Sequence, residues 1–377
     1  MSVAGIIFSN IHDSNIADLT RLRTMASVPF GCRYRLIDFT LSNMVNSGIT
    51  NVYVITHYNY HSLMDHIGSG KDWDLARARG GIKILPPFIS AFANNVNVLY
   101  KTRLEALKSI NHAISNIKDD YVVLSDCDVI CNIDLNEIIS DHINSGADMT
   151  IAVKRMYLTP DSARINIIYK TDENGTIHDV ESYPANFEGE ADVSLNIVVM
   201  SRRYLQTMVL DAIAHDYVSM NRDIIARNVR HSYFRVYRYD GYFAVISSMQ
   251  DYFKHSMELI SDASVRRELF GVKNRPIYTR IRNSAPTRYI GDASVRNSLV
   301  ADGCVIEGRV ENSILFRGVR IGKNTTVKNS ILFQDTYTGE NVSLNCVLTD
   351  KDVVIRDNVN LSGHTSMPIY VEKGRMI

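Results

Sequence analysis

A six-residue periodicity in the last third of the chain restricts its fold more than any other feature. Apolar residues recur six positions apart at Leu315, Ile321, Val327 and Phe333, and again at Val342, Leu348 and Val354. Segments of the kind Asn-Ser-Ile-Leu return every 15 to 17 residues, beginning at 297, 312, 329 and 345. This period predicts a parallel β-helix of hexapeptide repeats, with one apolar residue per short strand in the core and Gly or Asn at the corners. A β-sandwich would instead alternate with period two.

The first two-thirds of the chain alternates short apolar runs with amphipathic segments. The apolar runs cover residues 4–8, 51–56, 121–125, 149–153 and 197–200. The helix-like segments include residues 36–47, 60–67 and 103–117. This alternation predicts a mostly parallel sheet with helices on both faces. In such α/β folds, ligands bind beyond the carboxyl ends of the strands.

At 377 residues, the chain is long enough to form two domains. We expect an α/β domain over residues 1–248 and the β-helix over residues 285–377. Between them, residues 249–270 have a helical pattern, and an extended connector with two prolines follows up to residue 284.

The composition argues against several classes of function. A net charge of zero provides no overall field that would attract nucleic acid or a membrane surface. The five cysteines are scattered, and Cys127 and Cys131 have no second pair nearby, so we expect reduced thiols and not a zinc site. The sequence shows neither a signal peptide nor an apolar run of about 20 residues that could span a bilayer. We therefore expect a cytoplasmic protein.

One segment of the α/β part carries a specific resemblance. Residues 28–39 read Val-Pro-Phe-Gly-Cys-Arg-Tyr-Arg-Leu-Ile-Asp-Phe, and residues 41–49 read Leu-Ser-Asn-Met-Val-Asn-Ser-Gly-Ile. This segment resembles the core of the sugar-nucleotide pyrophosphorylases, and most specifically the glucose-1-phosphate adenylyltransferases. The resemblance extends along the whole chain. It implies a Rossmann-like, GT-A-like nucleotidyltransferase domain followed by a left-handed β-helix, and a reaction in which ATP and glucose 1-phosphate give ADP-glucose and diphosphate.

Several phosphate-binding groups of that family are replaced in this chain. The loop at residues 9–16 has no Gly and carries Asp13, so it cannot easily bring its N–H groups around a phosphate. Met25 stands where the family has a Lys, and Met cannot neutralise phosphate. Thr102 and Arg103 replace a Gly-Thr pair, adding bulk where the nucleotide base would lie.

The resemblance also locates two metal-binding carboxylates of the family. Asp128 matches the first of them, and Asp126 is the alternative because this segment carries one inserted residue. Val245 occupies the second position. One carboxylate without a basic cradle is a poor site for Mg²⁺ and triphosphate, so we expect no cofactor in this chain itself.

Other residues implied by the resemblance are present. The remnants of a substrate site are Tyr100, Glu181, Ser194 and Asp223. The Lys of the family's Glu-Lys-Pro motif is missing from residues 181–184, which read Glu-Ser-Tyr-Pro. The candidates for binding an anionic effector, such as a sugar phosphate, are Arg23, Arg33 and Arg35, because basic residues of this segment face the β-helix in the family.

A retained scaffold with lost phosphate and metal groups predicts a regulatory, largely non-catalytic subunit of the GlgD type. Such a subunit would assemble with a catalytic homologue into a tetramer, and Mg²⁺ would belong to the catalytic partner. One alternative is an active adenylyltransferase with a rearranged site that uses Asp128, Lys101 and Arg103. A second is a hexapeptide-repeat acyltransferase, for which His364 is the only His beyond residue 255. A third is a purely structural assembly module.

Overall fold

In the computed structural model, which describes residues 1–86 and 100–377, a twisted sheet with flanking helices precedes a coil of short parallel strands. Both predicted architectures, the α/β domain and the β-helix, are therefore confirmed. No helix in the described ranges is long and apolar enough to cross a membrane.

The α/β domain is built on a sheet of nine described strands. Their bounds are Val3–Phe8, Asn51–Ile55, Gly81–Leu85, Tyr121–Asp126, Met149–Leu158, Ile167–Thr171, Ile177–Ser182, Gly189–Ser201 and Phe234–Arg238. Val3–Phe8 lies between Asn51–Ile55 and Tyr121–Asp126 and is parallel to both. The long strand Gly189–Ser201 joins the sheet antiparallel to Tyr121–Asp126. All five predicted apolar runs form strands of this sheet.

Helices cover both faces of the sheet. Successive strand residues point to opposite sides, and the apolar side chains on each side pack against helices. Ile6 packs in a cluster with Leu104, whereas Ile7 packs in a second cluster with Leu41. The α-helices are Ala17–Thr20, Leu36–Asn46, His61–Ile67, Arg103–Ser109, Asn111–Ser115, Leu135–Ser145, Pro160–Ala163, Arg202–Ala214, Met249–Ser261 and Ala263–Phe270. Short 3₁₀ segments span Asp13–Ile16, Met25–Ser27 and Lys71–Trp73, and Met220–Ala226 is a π-helix.

The predicted helices at 103–117 and 249–270 are each divided into two. In the second case the break falls at Asp262, whose carboxylate accepts a hydrogen bond from the Ser264 amide at 2.7 Å. A capping bond of this kind stabilises the start of a new helix and competes with continuing the old one.

The β-helix consists of three parallel sheets, and each turn adds one strand to each sheet. The first sheet contains Arg288–Tyr289, Val305–Ile306, Arg320–Ile321, Tyr337–Thr338 and Val354–Ile355. The second contains Ser294–Arg296, Arg309–Glu311, Thr326–Lys328, Ser343–Asn345 and Asn360–Ser362. The third contains Leu299–Val300, Ile314–Leu315, Ile331–Leu332, Val347–Thr349 and Ile369–Val371.

Asn residues turn one corner of the coil, as the sequence predicted. Asn297, Asn312 and Asn329 occupy equivalent positions in successive turns, with φ between 41° and 47°. Asn tolerates this left-handed conformation better than most residues because its side chain can hydrogen-bond locally. The Asn297 amide donates to Asn312 Oδ1 at 2.7 Å, so the corner side chains also form a ladder.

The third sheet attaches the β-helix to the α/β domain. Its outward-facing row is apolar and consists of Leu299, Ile314, Ile331, Leu348 and Tyr370. The expectation that Leu348 lies in the coil's own core is wrong, because its neighbour Val347 points inward there. The side chains of this row share one core cluster with Phe30 and Phe39 of the α/β domain and with Tyr252 of the connecting helix. The two halves of the chain are thus joined by a continuous apolar core.

Candidate functional site

The candidate site lies where two neighbouring parallel strands end. Phe8 and Asp126 are paired in register, so the loops that follow them leave the sheet at the same edge. The first loop brings His12 to this edge and the second brings Asp128. This is the edge at which ligands bind in open α/β sheets.

Two carboxylates and two basic side chains form a compact cluster at this edge. The His12 Nε2 atom lies 2.7 Å from an oxygen of Asp126 and 3.4 Å from an oxygen of Asp128. The Nε atom of Arg103 lies 2.9 Å from each of the two Asp126 oxygens. The side-chain amide nitrogen of Asn196 lies 3.4 Å from an oxygen of Asp128. The cluster therefore joins a sheet end, two loops and the start of the helix Arg103–Ser109.

The electrostatics of the cluster differ between its two carboxylates. Burial would raise the pKa of Asp126, but the guanidinium of Arg103 and the hydrogen bond from His12 outweigh it and lower this pKa. Burial raises the pKa of Asp128, and the opposing effect of His12 is too small to cancel this rise. For His12 itself, burial lowers the pKa, but Asp128 and Asp126 together raise it above its ordinary value. Asp126 is thus held as a carboxylate, and His12 is biased towards its protonated form.

A cavity of about 40 Å³ adjoins the cluster. It is lined by His12, Asn15, Asp128, Ile165, Asn166, Ile167, Tyr183, Ser194, Asn196, Val245 and Ser247. By itself this cavity has room for a few water molecules.

Val245 lies directly beside Asp128, as the resemblance implies for the second metal carboxylate. Val245 pairs with Val129 in a two-stranded antiparallel ladder. The Ile246 amide donates to the Asp128 carbonyl at 2.8 Å, which fixes the two segments side by side. At the position where the resemblance implies a second carboxylate, this chain therefore has an isopropyl group beside Asp128.

The two alternatives for the first metal position, Asp128 and Asp126, have different surroundings. Asp128 lines the cavity together with Val245, whereas Asp126 is engaged by Arg103. Of the two, Asp128 is therefore the one that lies in the cavity, and the match to the family's metal carboxylate stays a prediction.

These residues do not fit a magnesium–triphosphate site. His12, Asp126 and Asp128 do bring one potential ligand atom each within 4.8 Å of one another. Mg²⁺, however, requires nearly octahedral oxygen coordination and usually keeps several waters. Here Asp126 is already bonded to Arg103 and His12, and the adjoining position is the apolar Val245.

The loop that follows the first strand folds back on the chain, and its carboxylate is used internally. Asp13 accepts hydrogen bonds from the Met25 amide at 2.7 Å and from the Asn10 side chain at 2.6 Å. The Met25 side chain is buried in the core cluster with Ile16 and Leu19. Met25, where the resemblance implies a phosphate-binding Lys, is therefore part of the apolar core.

The buried Asp13 leads to a prediction on stability and pH. Burial raises the pKa of Asp13 to about 6, from 3.8, against the opposing effects of Asn10, Met25 and His12. Because the folded chain holds this proton more tightly than the unfolded chain, the stabilisation from protonated Asp13 is fully present below about pH 4 and is lost as the pH rises through about 6. Urea denaturation of wild type and Asp13→Asn should therefore give a stability difference that changes between pH 4 and 7.

The sign of that change is fixed. Relative to Asp13→Asn, the wild type should become steadily less stable as the pH rises through this range, and the difference should level off near pH 7. A difference that is independent of pH would contradict the raised pKa of Asp13.

The predicted substrate remnants do not converge on the cavity in the described part of the chain. Ser194 lines the cavity, and its hydroxyl accepts a hydrogen bond from the backbone amide of Asn196 at 3.1 Å. Tyr100 is buried, with its ring 4.5 Å from that of His57. Glu181 forms an ion pair with Lys170. Asp223 accepts hydrogen bonds from the Ser219 amide and from Arg222, at the start of the π-helix.

The three predicted effector arginines lie in different environments. Arg23 is buried and forms two hydrogen bonds, of 2.7 and 2.9 Å, to the carboxylate of Asp350 in the β-helix. Arg35 is also buried and donates to the Ser62 carbonyl at 2.6 Å. Arg33 is exposed and lies over the ring of Tyr34. Arg23 thus links the two halves of the chain, and Arg33 faces solvent.

The residues of the two rival interpretations are also placed. Lys101 is exposed, and its backbone amide donates to Glu105. Arg103 is bound to Asp126, as described above. His364 is exposed in a turn near the end of the β-helix, where its ring lies 2.8 Å from the Ser366 hydroxyl.

His12 is the residue of the cluster to which sequence reasoning assigned no role. His12 is the only His in the loop after the first strand, residues 9–16, which also lacks Gly. A titratable side chain at the carboxyl end of a central strand is itself a signal, because that edge of the sheet carries ligand sites.

Comparison with known proteins matches both halves of the chain. A family model described as "Nucleotidyl transferase" matches residues 12–232, and one described as "GlmU-like, C-terminal hexapeptide" matches residues 286–365. The "Glycogen biosynthesis protein GlgD" of Bacillus subtilis is 33% identical over 321 residues, which cover 85% of this chain and 81% of that protein. The "Glucose-1-phosphate adenylyltransferase" of Clostridium acetobutylicum is 34% identical over 331 residues, covering 86% and 84%. Overall identity does not separate these two kinds of relative.

Proposed function

This chain belongs to the nucleotidyl transferase family, and from that membership we propose that it acts in glycogen biosynthesis as a regulatory, largely non-catalytic subunit. Its partner would be a catalytic glucose-1-phosphate adenylyltransferase, which makes ADP-glucose and diphosphate from glucose 1-phosphate and ATP. In this assignment the chain requires no cofactor of its own, and Mg²⁺ acts in the catalytic partner.

One observation carries the proposal: a carboxylate beyond the central strands is bonded to the chain's own basic side chains. Arg103 and His12 engage Asp126, and a cavity of about 40 Å³ adjoins them. Phosphoryl and nucleotidyl transfer depend on positioning and on charge neutralisation by metal and basic groups. Met25 and Val245 provide neither, since both side chains are apolar.

A subunit without turnover can still regulate. If it binds one conformation of its partner more tightly than another, it shifts the partner towards that conformation. An anionic effector bound near the exposed Arg33 would act through the same linkage. The ion pair between Arg23 and Asp350 joins the segment that carries both arginines to the β-helix. This contact supports the proposal that a change at the segment is transmitted to the β-helix.

The decisive experiment measures ADP-glucose synthesis by this chain alone, by a catalytic homologue alone and by the two combined. We expect synthesis near background for the chain alone. We expect the mixture to exceed the catalytic homologue alone by about fivefold or more at subsaturating substrate, the range typical of coupling between sites. An equal mass of an unrelated protein in place of the chain serves as the control.

The rival interpretations give different results in the same assay. Robust synthesis by the chain alone, abolished by Asp128→Asn, would mean that it is an active enzyme with a rearranged site. A purely structural module would raise the activity of the catalytic homologue but would leave its response to a sugar phosphate unchanged. In that case Arg33→Ala would have no effect on the response of the mixture.

A further inference from the structure

Two buried carboxylates lie side by side in the candidate site, and the chain itself provides positive charge for them. Asp126 and Asp128 are each 1% exposed, and the His12 ring nitrogen is within 3.4 Å of both. Arg103 binds Asp126 through two hydrogen bonds of 2.9 Å. From this arrangement we infer that Arg103 and His12 take the place of a divalent cation, so that the site folds without any metal ion.

The charges support this inference. An isolated buried carboxylate is strongly destabilising unless it is paired and hydrogen-bonded, and two adjacent carboxylates also repel each other. Arg103 brings a fixed positive charge to Asp126, and the His12 ring nitrogen lies 2.7 Å from Asp126 and 3.4 Å from Asp128. Together these two side chains occupy positions around the carboxylate oxygens that a divalent cation would need.

Arg103 is held in place to do this. Thr102 and Glu105 form a capping box at the start of the helix Arg103–Ser109: the Glu105 amide donates to the Thr102 hydroxyl at 3.2 Å, and the Thr102 amide donates to the Glu105 carboxylate at 3.1 Å. The Thr102 hydroxyl also donates to the Val218 carbonyl. The backbone that carries Arg103 is therefore fixed, and its side chain is only 14% exposed.

One oxygen of the cluster remains available. Asp128 Oδ1 is buried and has no hydrogen-bond partner among the described residues. Asp128 lines the cavity together with Ser194 and Asn196. If the charge of Arg103 were removed, this pocket would present uncompensated carboxylates beside an imidazole, a ligand set suited to a divalent cation such as Mn²⁺.

The test uses the full chain and Mn²⁺ as the probe. Free Mn²⁺ is followed by electron paramagnetic resonance, and the thermal unfolding midpoint is measured with Mn²⁺ or with EDTA. We expect no saturable binding by the wild type and no effect of EDTA on its midpoint. Arg103→Gln should bind one Mn²⁺ saturably, at least about tenfold more tightly than the weak, non-saturating association of the wild type, and Mn²⁺ should raise the lowered unfolding midpoint of this variant.

Two variants serve as controls. Arg238 likewise binds a buried carboxylate, that of Asp192, at 2.9 Å, but Asp192 does not line the cavity. Arg238→Gln should therefore create no Mn²⁺ site. Adding Asp128→Asn to Arg103→Gln should remove the site that Arg103→Gln creates.

Three results would overturn the inference. The first is tight binding of one Mn²⁺ by the wild type that Asp128→Asn abolishes, and the second is a wild-type midpoint that EDTA lowers. The third is a folded Arg103→Gln chain with no gain in affinity. If Arg103→Gln does not fold, the wild-type measurements decide alone. None of these readouts involves a partner chain or ADP-glucose, so this inference and the proposed function can fail separately.

Discussion

Arg23→Met is expected to lower the free energy of unfolding by about 3–5 kcal/mol, because it leaves the buried Asp350 carboxylate without its counter-charge. The two side chains are 3% and 4% exposed, and two hydrogen bonds of 2.7 and 2.9 Å join them. Since Arg23 belongs to the α/β domain and Asp350 to the β-helix, the substitution weakens the contact between the two. Urea denaturation followed by circular dichroism measures the change in the free energy of unfolding.

A second substitution tests the cause of that loss. Combining Arg23→Met with Asp350→Leu removes both charges, and replacing a buried ion pair with apolar residues is often close to neutral. The double variant should therefore recover much of the stability, less the hydrogen bonds that Asp350 accepts from the Tyr370 hydroxyl at 3.1 Å and from the Lys351 backbone amide at 2.7 Å. A double variant that is no more stable than Arg23→Met would contradict this explanation.

An exposed ion pair on the β-helix provides the matched control. Lys328 lies 3.4 Å from Glu311, and the two side chains are 51% and 48% exposed. Solvent screens such pairs, so Lys328→Met should change stability by less than about 1 kcal/mol. If Arg23→Met cost no more than Lys328→Met, the buried pair would contribute little to joining the two halves.

The β-helix could be predicted from the sequence because its rules are local. Each turn requires an apolar residue every six positions and a corner residue that tolerates positive φ, and both are visible in the sequence around Asn312, Leu315 and Asn329. The parallel sheet was also predictable, since buried strands appear as short apolar runs. The break at Asp262 was missed because a single capping bond decided it, and the helical pattern continues across it.

The candidate site was less predictable because its contacts join distant parts of the sequence. His12 and Asp126 are 114 positions apart, and no periodicity connects them. Sequence reasoning could identify Asp128 and Val245 as neighbours only through the family resemblance. It could not show that Arg103 turns towards Asp126, because that depends on how the helix Arg103–Ser109 packs against the sheet.

Phe333→Ala is expected to destabilise the whole chain by about 3–5 kcal/mol, through lost burial and the cavity left behind. Phe333 is fully buried, with its ring 4.9 Å from that of Phe316 and 6.2 Å from that of Tyr252 on the connecting helix. Tyr337→Ala, which removes a ring that is 45% exposed on the first β-helix sheet, is the control and should have a much smaller effect.

The single Trp of the chain shows whether the two halves unfold together. Trp73 is buried in the α/β domain, away from the substituted β-helix residue, and its fluorescence therefore reports on that domain. Because one apolar cluster contains Phe333, Phe30 and Phe39, loss of the Phe333 ring should weaken the α/β domain as well. The Trp73 transition in urea should shift to lower concentration together with the circular dichroism transition. A Trp73 transition that stays at its wild-type midpoint would mean that the α/β domain holds its fold independently of the β-helix.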